Sequence, residues 1–374
     1  MTRAYLDWAA SAPLHPVARA AAMEAMEIIG NPSSVHAHGR AARALLERAR
    51  EQVAAFVGCS PREIVFTASG TEANALAVVG GHGARGGRVA VSAIEHPSVA
   101  LAARSLPEAE VVVLPCDAEG AIDLERAEAL LAAGASLVAV QVANNETGVV
   151  QPWRELAGLA ARTGAHLHFD AVQAAGKIPL EDIAARCHTL SLSAHKLGGL
   201  PGAGALVVRR GHEPAPIVSG HQERGLRGGT HALVPIAAFG AVAEHLHRHI
   251  EQRRARIEAR SRELERILLA AAPDAVVHGR GAERVPGIVN VRFPGVDGET
   301  LLVALDLAGV SCSHGAACAS GAMEPSPVLL AMGLEPAAAR AAIRFSVGDS
   351  TTDEELAHLA KVLGPALEAA RKAR

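Results

Sequence analysis

Lys196 stands in the run Ser193-Ala194-His195-Lys196, followed by Gly198-Gly199-Leu200-Pro201-Gly202. A lysine beyond the carboxyl end of a strand can form a Schiff base with an aldehyde cofactor. The glycine-rich tail favours a tight loop that a ligand can approach closely, against the competing reading of an ordinary surface lysine. Asp170 ends the run His166-Leu167-His168-Phe169-Asp170, with Gln173 one helical turn further on. An acid there can hold a pyridine nitrogen protonated and make the ring an electron sink. The same strand supports two other readings. His166, His168 and Asp170 share one face at a spacing that suits a metal, and the histidines also read as buried structural residues.

Other groups fall at comparable places. Ser69-Gly70-Thr71-Glu72 follows a strand-like run and opens a helix, which makes either a phosphate cup or a plain helix cap. His96, in Glu95-His96-Pro97-Ser98, can stack on a flat ring or shuttle a proton, and it reads equally as a structural histidine. Asn144-Asn145-Glu146-Thr147-Gly148 supplies polar side chains that a turn explains as well. Cys318 closes the small-residue run Ser313-His314-Gly315-Ala316-Ala317-Cys318, which reads as a loop presenting a reactive thiol. Cys312 is its nearest rival, at a strand edge, and a Cys312–Cys318 pair or a metal site with His314 is the alternative. Cys59, Cys116 and Cys187 read as structural.

The elements that must position these groups alternate. Apolar runs at Ile64–Thr67, 88–92, Val111–Leu114, 137–143, 166–169, 189–192 and 203–208 read as strands buried on both faces. Helical stretches at 71–79, Leu124–Ala132 and 152–162 lie between them, with Pro152 suited to a first turn. The pattern predicts an α/β fold with a mostly parallel seven-stranded sheet. It then places a phosphate cup, a stacking group, an amide, an acid and a lysine at the carboxyl ends of five strands. Beyond about residue 235 a long charged helix runs to about 271. A strand (288–293), a helix (299–308), the loop 311–323, a strand (Ala342–Ser346) and a last helix (353–370) follow. We expect a large domain at 14–245 and a smaller α+β domain at 1–13 and 246–374. Gly80–Gly87 is glycine-rich but follows a helix, so it lacks the strand context of a dinucleotide fingerprint.

Composition narrows the function classes. Aromatic residues are 2% of the 374, so the core must be built from aliphatic side chains and alanine. A net charge of −3 gives no electrostatic case for nucleic acid or an anionic membrane. No apolar run reaches the roughly 18 residues of a membrane span, and the N-terminus has no apolar secretory core. Five cysteines are an odd, sparse set that points away from a disulfide framework and towards the reducing cytoplasm.

In order along the chain, Gly30-Asn31-Pro32-Ser33-Ser34, Glu95-His96, Asn144-Asn145-Glu146-Thr147-Gly148, Asp170-Ala171-Val172-Gln173, Ser193-Ala194-His195-Lys196 and Arg224-Gly225-Leu226-Arg227-Gly228-Gly229-Thr230 resemble the cysteine desulfurases. These belong to the class V aminotransferase group of enzymes dependent on pyridoxal 5'-phosphate (PLP). Ser313 to Cys318 and Ile343-Arg344-Phe345-Ser346 extend the resemblance over almost the whole chain, and the loop length is similar to the long-loop branch.

The resemblance implies the type I fold of PLP-dependent transferases and conversion of L-cysteine to L-alanine, with sulfur passing to Cys318 as a persulfide. It implies Lys196 as the Schiff-base lysine, His96 stacked on the ring, Asp170 at the pyridine nitrogen and Gln173 at the ring oxygen. Gly70, Thr71, Ser193 and His195 would hold the phosphate. Thr230 would reach the site of a partner subunit in a homodimer. Asn145 and Arg344, with Asn31 nearby, would take the substrate α-carboxylate. A sulfur-acceptor or scaffold protein would receive the sulfur for iron–sulfur cluster assembly or other thiolation. No resident metal is expected, beyond an iron–sulfur cluster passing near Cys318. Two departures stand out: the lysine of the family's Gly-Pro-Lys-Gly is absent at Gly199-Leu200-Pro201-Gly202, and Ser-Ser-Gly-Ser-Ala-Cys has become Ser313-His314-Gly315-Ala316-Ala317-Cys318. His314 reads either as a group that tunes the thiol or as a solvated loop residue. The competing functions are a selenocysteine lyase or related β-eliminating PLP enzyme, a non-catalytic sulfur-delivery scaffold, and a zinc hydrolase using His166, His168 and Asp170.

Overall fold

The structure is a computed structural model that describes residues 3–107, 109–314 and 324–372. Its strands, in chain order, are Ala4–Tyr5 (β1), Ile64–Thr67 (β2), Val89–Ser92 (β3), Val111–Leu114 (β4), Leu137–Gln141 (β5), His166–Asp170 (β6), Thr189–Ser193 (β7), Gly204–Val208 (β8), Val276–Val277 (β9), Ile288–Arg292 (β10), Val310–Ser311 (β11) and Ala342–Ser346 (β12). Strands β2 to β8 form one sheet in the order β2-β8-β7-β6-β5-β3-β4. β8 runs antiparallel to β2 and β7, and the other neighbours are parallel. This is the mostly parallel α/β sheet that the apolar runs predict. Five strand ends (β2, β3, β5, β6 and β7) therefore share one edge.

Alternate residues of each strand enter different cores, as a period of two requires. Ile64, Phe66, Ala90, Val138 and Val140 pack into one core with the helices Ala37–Val57, Trp153–Thr163 and the first half of Leu233–Ala271. Val89, Val91, Leu137 and Ala139 face the other way, against Val99 and Ala103 of the helix Pro97–Arg104. Full burial of each Val, Leu, Ile or Phe among them contributes about 1.5–3 kcal/mol. The helix pairing on the first face depends on Gly240, where an added Cβ would lie 2.6 Å from the Ala49 Cα.

A second core holds Leu6, Val289, Val291, Phe293, Leu301, Leu305, Ile343, Phe345, Leu359 and Leu363. β10 lies antiparallel between β12 and β9, and β1 pairs in parallel with β11. The helix Leu233–Ala271 serves both cores. Phe239, Val242 and Leu246 enter the first, and Leu264, Ile267 and Leu268 enter the second. It breaks at His249, whose φ of −128° is not helical.

The differences from the sequence expectation are local. The stretch 137–143 leaves the ladder after Gln141, and Ala143 makes only an isolated bridge to Val150. The helix expected at 71–79 is α-helical over Gly70–Ala75, then a π-helical turn over Leu76–Gly80. Gly81–Arg85 continues as helix, so the Gly80–Gly87 run has no strand before it. Among the described residues no helix is long and apolar enough to cross a membrane.

Candidate active site

A cavity of about 410 Å³ opens at the shared strand edge. It is lined by Ser69, Gly70, Thr71, His96, Asn145, Asp170, Gln173, Ser193, His195, Lys196 and Arg344. Two candidates lie elsewhere in this chain. Thr230 is exposed, and Asn31 is exposed with its Oδ1 accepting from the Ser33 amide. Asn31 therefore does not join Asn145 and Arg344 within one chain. Cys318 lies outside the described residues.

The turn after β2 starts the helix Gly70–Ala75. The Ser69 hydroxyl accepts from the Glu72 amide, and Glu72 in turn accepts from the Ala68 amide, so a cap is present. Gly70 and Thr71 line the cavity at the start of this helix, where amides lack intrahelical acceptors and favour an anion. The cap and the cup thus coexist. β8 approaches this turn so closely that a Cβ on Gly204 would lie 2.4 Å from the Ser69 carbonyl carbon.

Lys196 sits in the 3-10 turn Ala194–Lys196 after β7. Its Nζ donates to the carbonyls of Ala9 and Ala10, at 2.7 Å each. Burial and the nearby Arg344 cation push its pKa down to about 8, against the opposing pull of Asp7 and Asp170. His195 is held down to about 4 by burial and by Lys196, and its Nδ1 lies 3.2 Å from the Ser11 hydroxyl. Gln173 donates from Nε2 to Ala9 O at 2.9 Å, while its Oε1 accepts from Lys177 Nζ at 2.8 Å. Burial, with Arg253 and Lys196 nearby, lowers Lys177 to about 7.

Asp170 accepts from the Val172 amide at 2.9 Å and from Asn74 Nδ2 at 2.7 Å. His96 caps the helix Pro97–Arg104, with Nδ1 accepting from the Ser98 amide. Burial lowers its pKa, so the neutral ring is favoured. Beside it, burial raises the Glu95 carboxyl to about 8, even though its Oε1 accepts from Ser92 and the Gln141 amide.

The far wall is Arg344 of β12. Its Nη1 donates to Asn145 O and its Nη2 to Asp7 Oδ1, both at 2.9 Å. Arg344 Nε and Asn145 Oδ1 are buried without a protein partner. Ser313 and Arg344 exchange backbone hydrogen bonds, and the Ser326 hydroxyl donates to buried Glu146, so both flanks of the segment that carries Cys318 are anchored. His314 is buried and donates to Arg340 O at 3.0 Å, which corrects the solvated-loop reading. Burial raises the thiols of Cys59 and Cys187 to about 12, and it raises Cys116 and Cys312 as well. The described cysteines are therefore poor nucleophiles.

The zinc reading of His166, His168 and Asp170 is corrected by the side-chain bonds. His168 and Asp170 are both tied to Asn74. His166 instead groups with His188 and His212, whose ligand atoms lie within 4.8 Å of one another. His188 Nδ1 already accepts from the Leu167 amide at 2.8 Å, so its other ring nitrogen carries the proton. Arg85 adds a positive charge beside all three rings.

The cavity suits PLP. It offers an amine, an acid, a neutral imidazole, a helix start for phosphate, and two buried polar atoms left open for a ligand. Sequence reading missed Asn74, Asp7, Lys177 and the Ala9 and Ala10 carbonyls. Only Asn74 left a signal, as a polar residue of low helix propensity one turn beyond Gly70 and Thr71.

Comparison with known proteins agrees with this geometry. The family model for class-V aminotransferases matches residues 4–359. A cysteine desulfurase of Klebsiella pneumoniae is 39% identical over 99% of this chain and 94% of its own length. The solved structure of a NifS-like protein from Rickettsia africae superposes with a TM-score of 0.90 at 30% identity, covering 98% of this chain and all of that one. SspA, solved in complex with cysteine, superposes with a TM-score of 0.82 at 30% identity over 93% of this chain and all of its own. The chain therefore belongs to the aminotransferase class-V family and, within it, to the cysteine desulfurases.

Proposed function

We propose that this chain converts L-cysteine to L-alanine, with PLP held through Lys196 and the sulfur received as a persulfide on Cys318. The observation that carries the reading is the single cavity uniting Lys196, Asp170, His96, the Ser69-Gly70-Thr71 turn, Asn145 and Arg344. The family is PLP-dependent. When bound, PLP supplies an aldehyde for the substrate amine and a sink for the electrons of the bond broken at Cα.

In this reading Gly70, Thr71, Ser193 and His195 hold the phosphate, Asp170 faces the ring nitrogen, and Gln173 faces the ring oxygen. Arg344 and Asn145 grip the α-carboxylate, for which Arg344 Nε is a free donor; Asn145 would offer its Nδ2, since its Oδ1 only accepts. Lys196 moves the proton at Nζ. At a pKa of about 8 roughly one-tenth of the amine is neutral at pH 7, against roughly 0.03% at the ordinary lysine value. The Ala9 and Ala10 carbonyls take the ammonium whenever Nζ is free. Cys318 lies five residues beyond Ser313, at most about 18 Å of extended chain. Its sulfur takes the substrate sulfur, and the carbon left behind gains a proton to give alanine.

We divide the chain into a PLP-binding domain at 14–245 and a smaller domain at 1–13 and 246–374. The active assembly is a homodimer in which Thr230 reaches the partner's site, with Asn31, away from this chain's own cavity, free to do the same. The persulfide goes to an acceptor or scaffold protein, for iron–sulfur assembly or other thiolation, in the reducing cytoplasm.

The test is to purify the wild type, Lys196→Ala and Cys318→Ala with PLP. The wild type should be yellow and lose its colour irreversibly with borohydride. Cys318→Ala should stay yellow but release no sulfide from cysteine. Undiminished sulfide release by Cys318→Ala would sink the persulfide step, and a colourless wild type would sink the PLP assignment.

A further inference from the structure

Behind Asp170 a line of buried polar groups runs along β6 towards the opposite edge of the sheet. Asn74, His168 and Thr189 are all at most 1% exposed. Asn74 Nδ2 donates one hydrogen to Asp170 Oδ2 at 2.7 Å and the other to the Ser98 hydroxyl at 2.8 Å. With both hydrogens used, Asn74 Oδ1 must accept, and its partner at 3.0 Å is His168 Nε2. His168 therefore carries its ring proton on Nε2. Its Nδ1 is left as an acceptor for the Thr189 hydroxyl at 3.1 Å. Thr189 Oγ1 in turn lies 3.3 Å from His166 Nε2. From His168 through Asn74 each donor points towards Asp170. Burial lowers His168 to about 4, which agrees with a neutral ring carrying one proton.

The second Asn74 hydrogen starts a branch. Ser98 Oγ accepts it and sits 2.7 Å from His96 Nδ1, which also accepts the Ser98 amide. His96 Nδ1 is thus an acceptor, and the His96 proton is on Nε2. One amide therefore holds the acid and, through the Ser98 hydroxyl, reaches the imidazole, whose tautomer the Ser98 main-chain amide already fixes. A flipped Asn74 would turn its oxygen towards the carboxylate, and His168 Nε2 prevents that flip.

We infer that Asn74 and His168 are positioning residues that fix the Asp170 carboxylate and through it set the protonation of the cofactor's ring nitrogen. This rests on the assignment of Asp170 to that nitrogen. The hydrogen bonds strengthen one another because they lie in a dry, low-dielectric interior.

The experiment loads the wild type, Asp170→Asn, Asn74→Leu, His168→Phe and His168→Gln with ring-¹⁵N-labelled PLP. It reads the ¹⁵N shift at one pH, the PLP dissociation constant and kcat. Asn74→Leu and His168→Phe should move the signal towards unprotonated pyridine and lower kcat about 10-fold, as expected for loss of a hydrogen bond to a charged group. His168→Gln keeps a donor for Asn74 and an acceptor for Thr189, and should restore both readouts. If His168→Phe does not fold, Thr189→Val carries the same test with a smaller shift in the same direction. A signal that moves in Asp170→Asn but stays at the wild-type position in Asn74→Leu and His168→Phe overturns the inference and leaves the Asp170 assignment standing, even if those variants bind PLP more weakly. A signal unmoved in Asp170→Asn overturns the assignment itself, and this inference with it.

Discussion

The wall of the cavity made by Asp170, Asn74 and His168 and the wall made by Asn145 and Arg344 treat their polar atoms in opposite ways. On the first, Asn74 spends both hydrogens and its oxygen on protein partners. On the second, Arg344 Nε and Asn145 Oδ1 are buried with none. A buried polar atom without a partner costs about 1–3 kcal/mol. A wall complete in itself suits a group that stays, and a wall that carries such a cost suits one that arrives and leaves. The difference is the one that the proposed roles require, a resident cofactor at the first wall and a passing substrate at the second.

The strongest way to break this comparison is to remove the group that both walls face. Lys196→Ala should lower alanine formation about 1000-fold and abolish the borohydride-fixed adduct, read by mass spectrometry of the intact protein. A loss of less than 10-fold would remove Lys196 from the proton path. Arg344→Ala should act mainly on the substrate side, with a secondary rise in the Lys196 pKa as a neighbouring cation is lost. KM for L-cysteine should rise roughly 10- to 100-fold, with the PLP dissociation constant unchanged. A matching loss of PLP affinity would erase the distinction between the walls.

Glu95→Gln sharpens the account of the closed wall. The folded Glu95 carboxyl titrates near 8, above its unfolded value, so its stability contribution is complete below the unfolded pKa. It is lost as pH rises through the window up to about 8. Replacing Glu95 with glutamine should therefore raise Tm more at pH 8.5 than at pH 5, by roughly 2–4 kcal/mol in stability at the alkaline end. Equal gains at both pH values would show that the carboxyl is not held neutral. The smallest effect belongs to Asp7→Asn. Asp7 favours the Lys196 ammonium, so its loss should lower the Lys196 pKa. The rate of PLP recombination with the apoprotein should then rise at lower pH than in the wild type, by a few-fold at pH 7. An unchanged profile would mean that Asp7 serves only Arg344.

Strands and site residues were legible where a local pattern reports them. Ile64–Thr67 and Ala342–Ser346 fall where their apolar runs lie, because double-sided burial writes itself into consecutive residues; Val111–Leu114 is apolar too, although at the sheet edge Val113 is exposed. The strands that carry Asp170 and Ser193 each run one residue beyond their apolar runs, since the ladder holds the polar end residue too. The residues that fix the chemistry's geometry were hidden. The carbonyls that take Lys196 belong to Ala9 and Ala10, whose side chains say nothing about them. Asp7 meets Arg344 across 337 positions. β1 and β11 are two residues each, too short to show any period.

The segment that holds the Lys196 ammonium has a history in time as well as a place in space. Ala4–Tyr5 pairs with Val310–Ser311, and Asp7 bridges to Ser346. Residues 4–10 are made about 300 positions ahead of their partners Val310, Ser311 and Ser346. Until those partners follow, the β1 pairing and the Asp7 bridge are missing, and only contacts such as Gln173 Nε2 to Ala9 O and the Ala12 amide to His195 O hold the segment near the lysine. The seven-stranded sheet can assemble without that lock, so the nascent chain has its scaffold well before it has a finished cofactor seat. The last hydrogen bonds that fix residues 4–7 are thereby tied to synthesis of the strands that carry Val310 and Ser346.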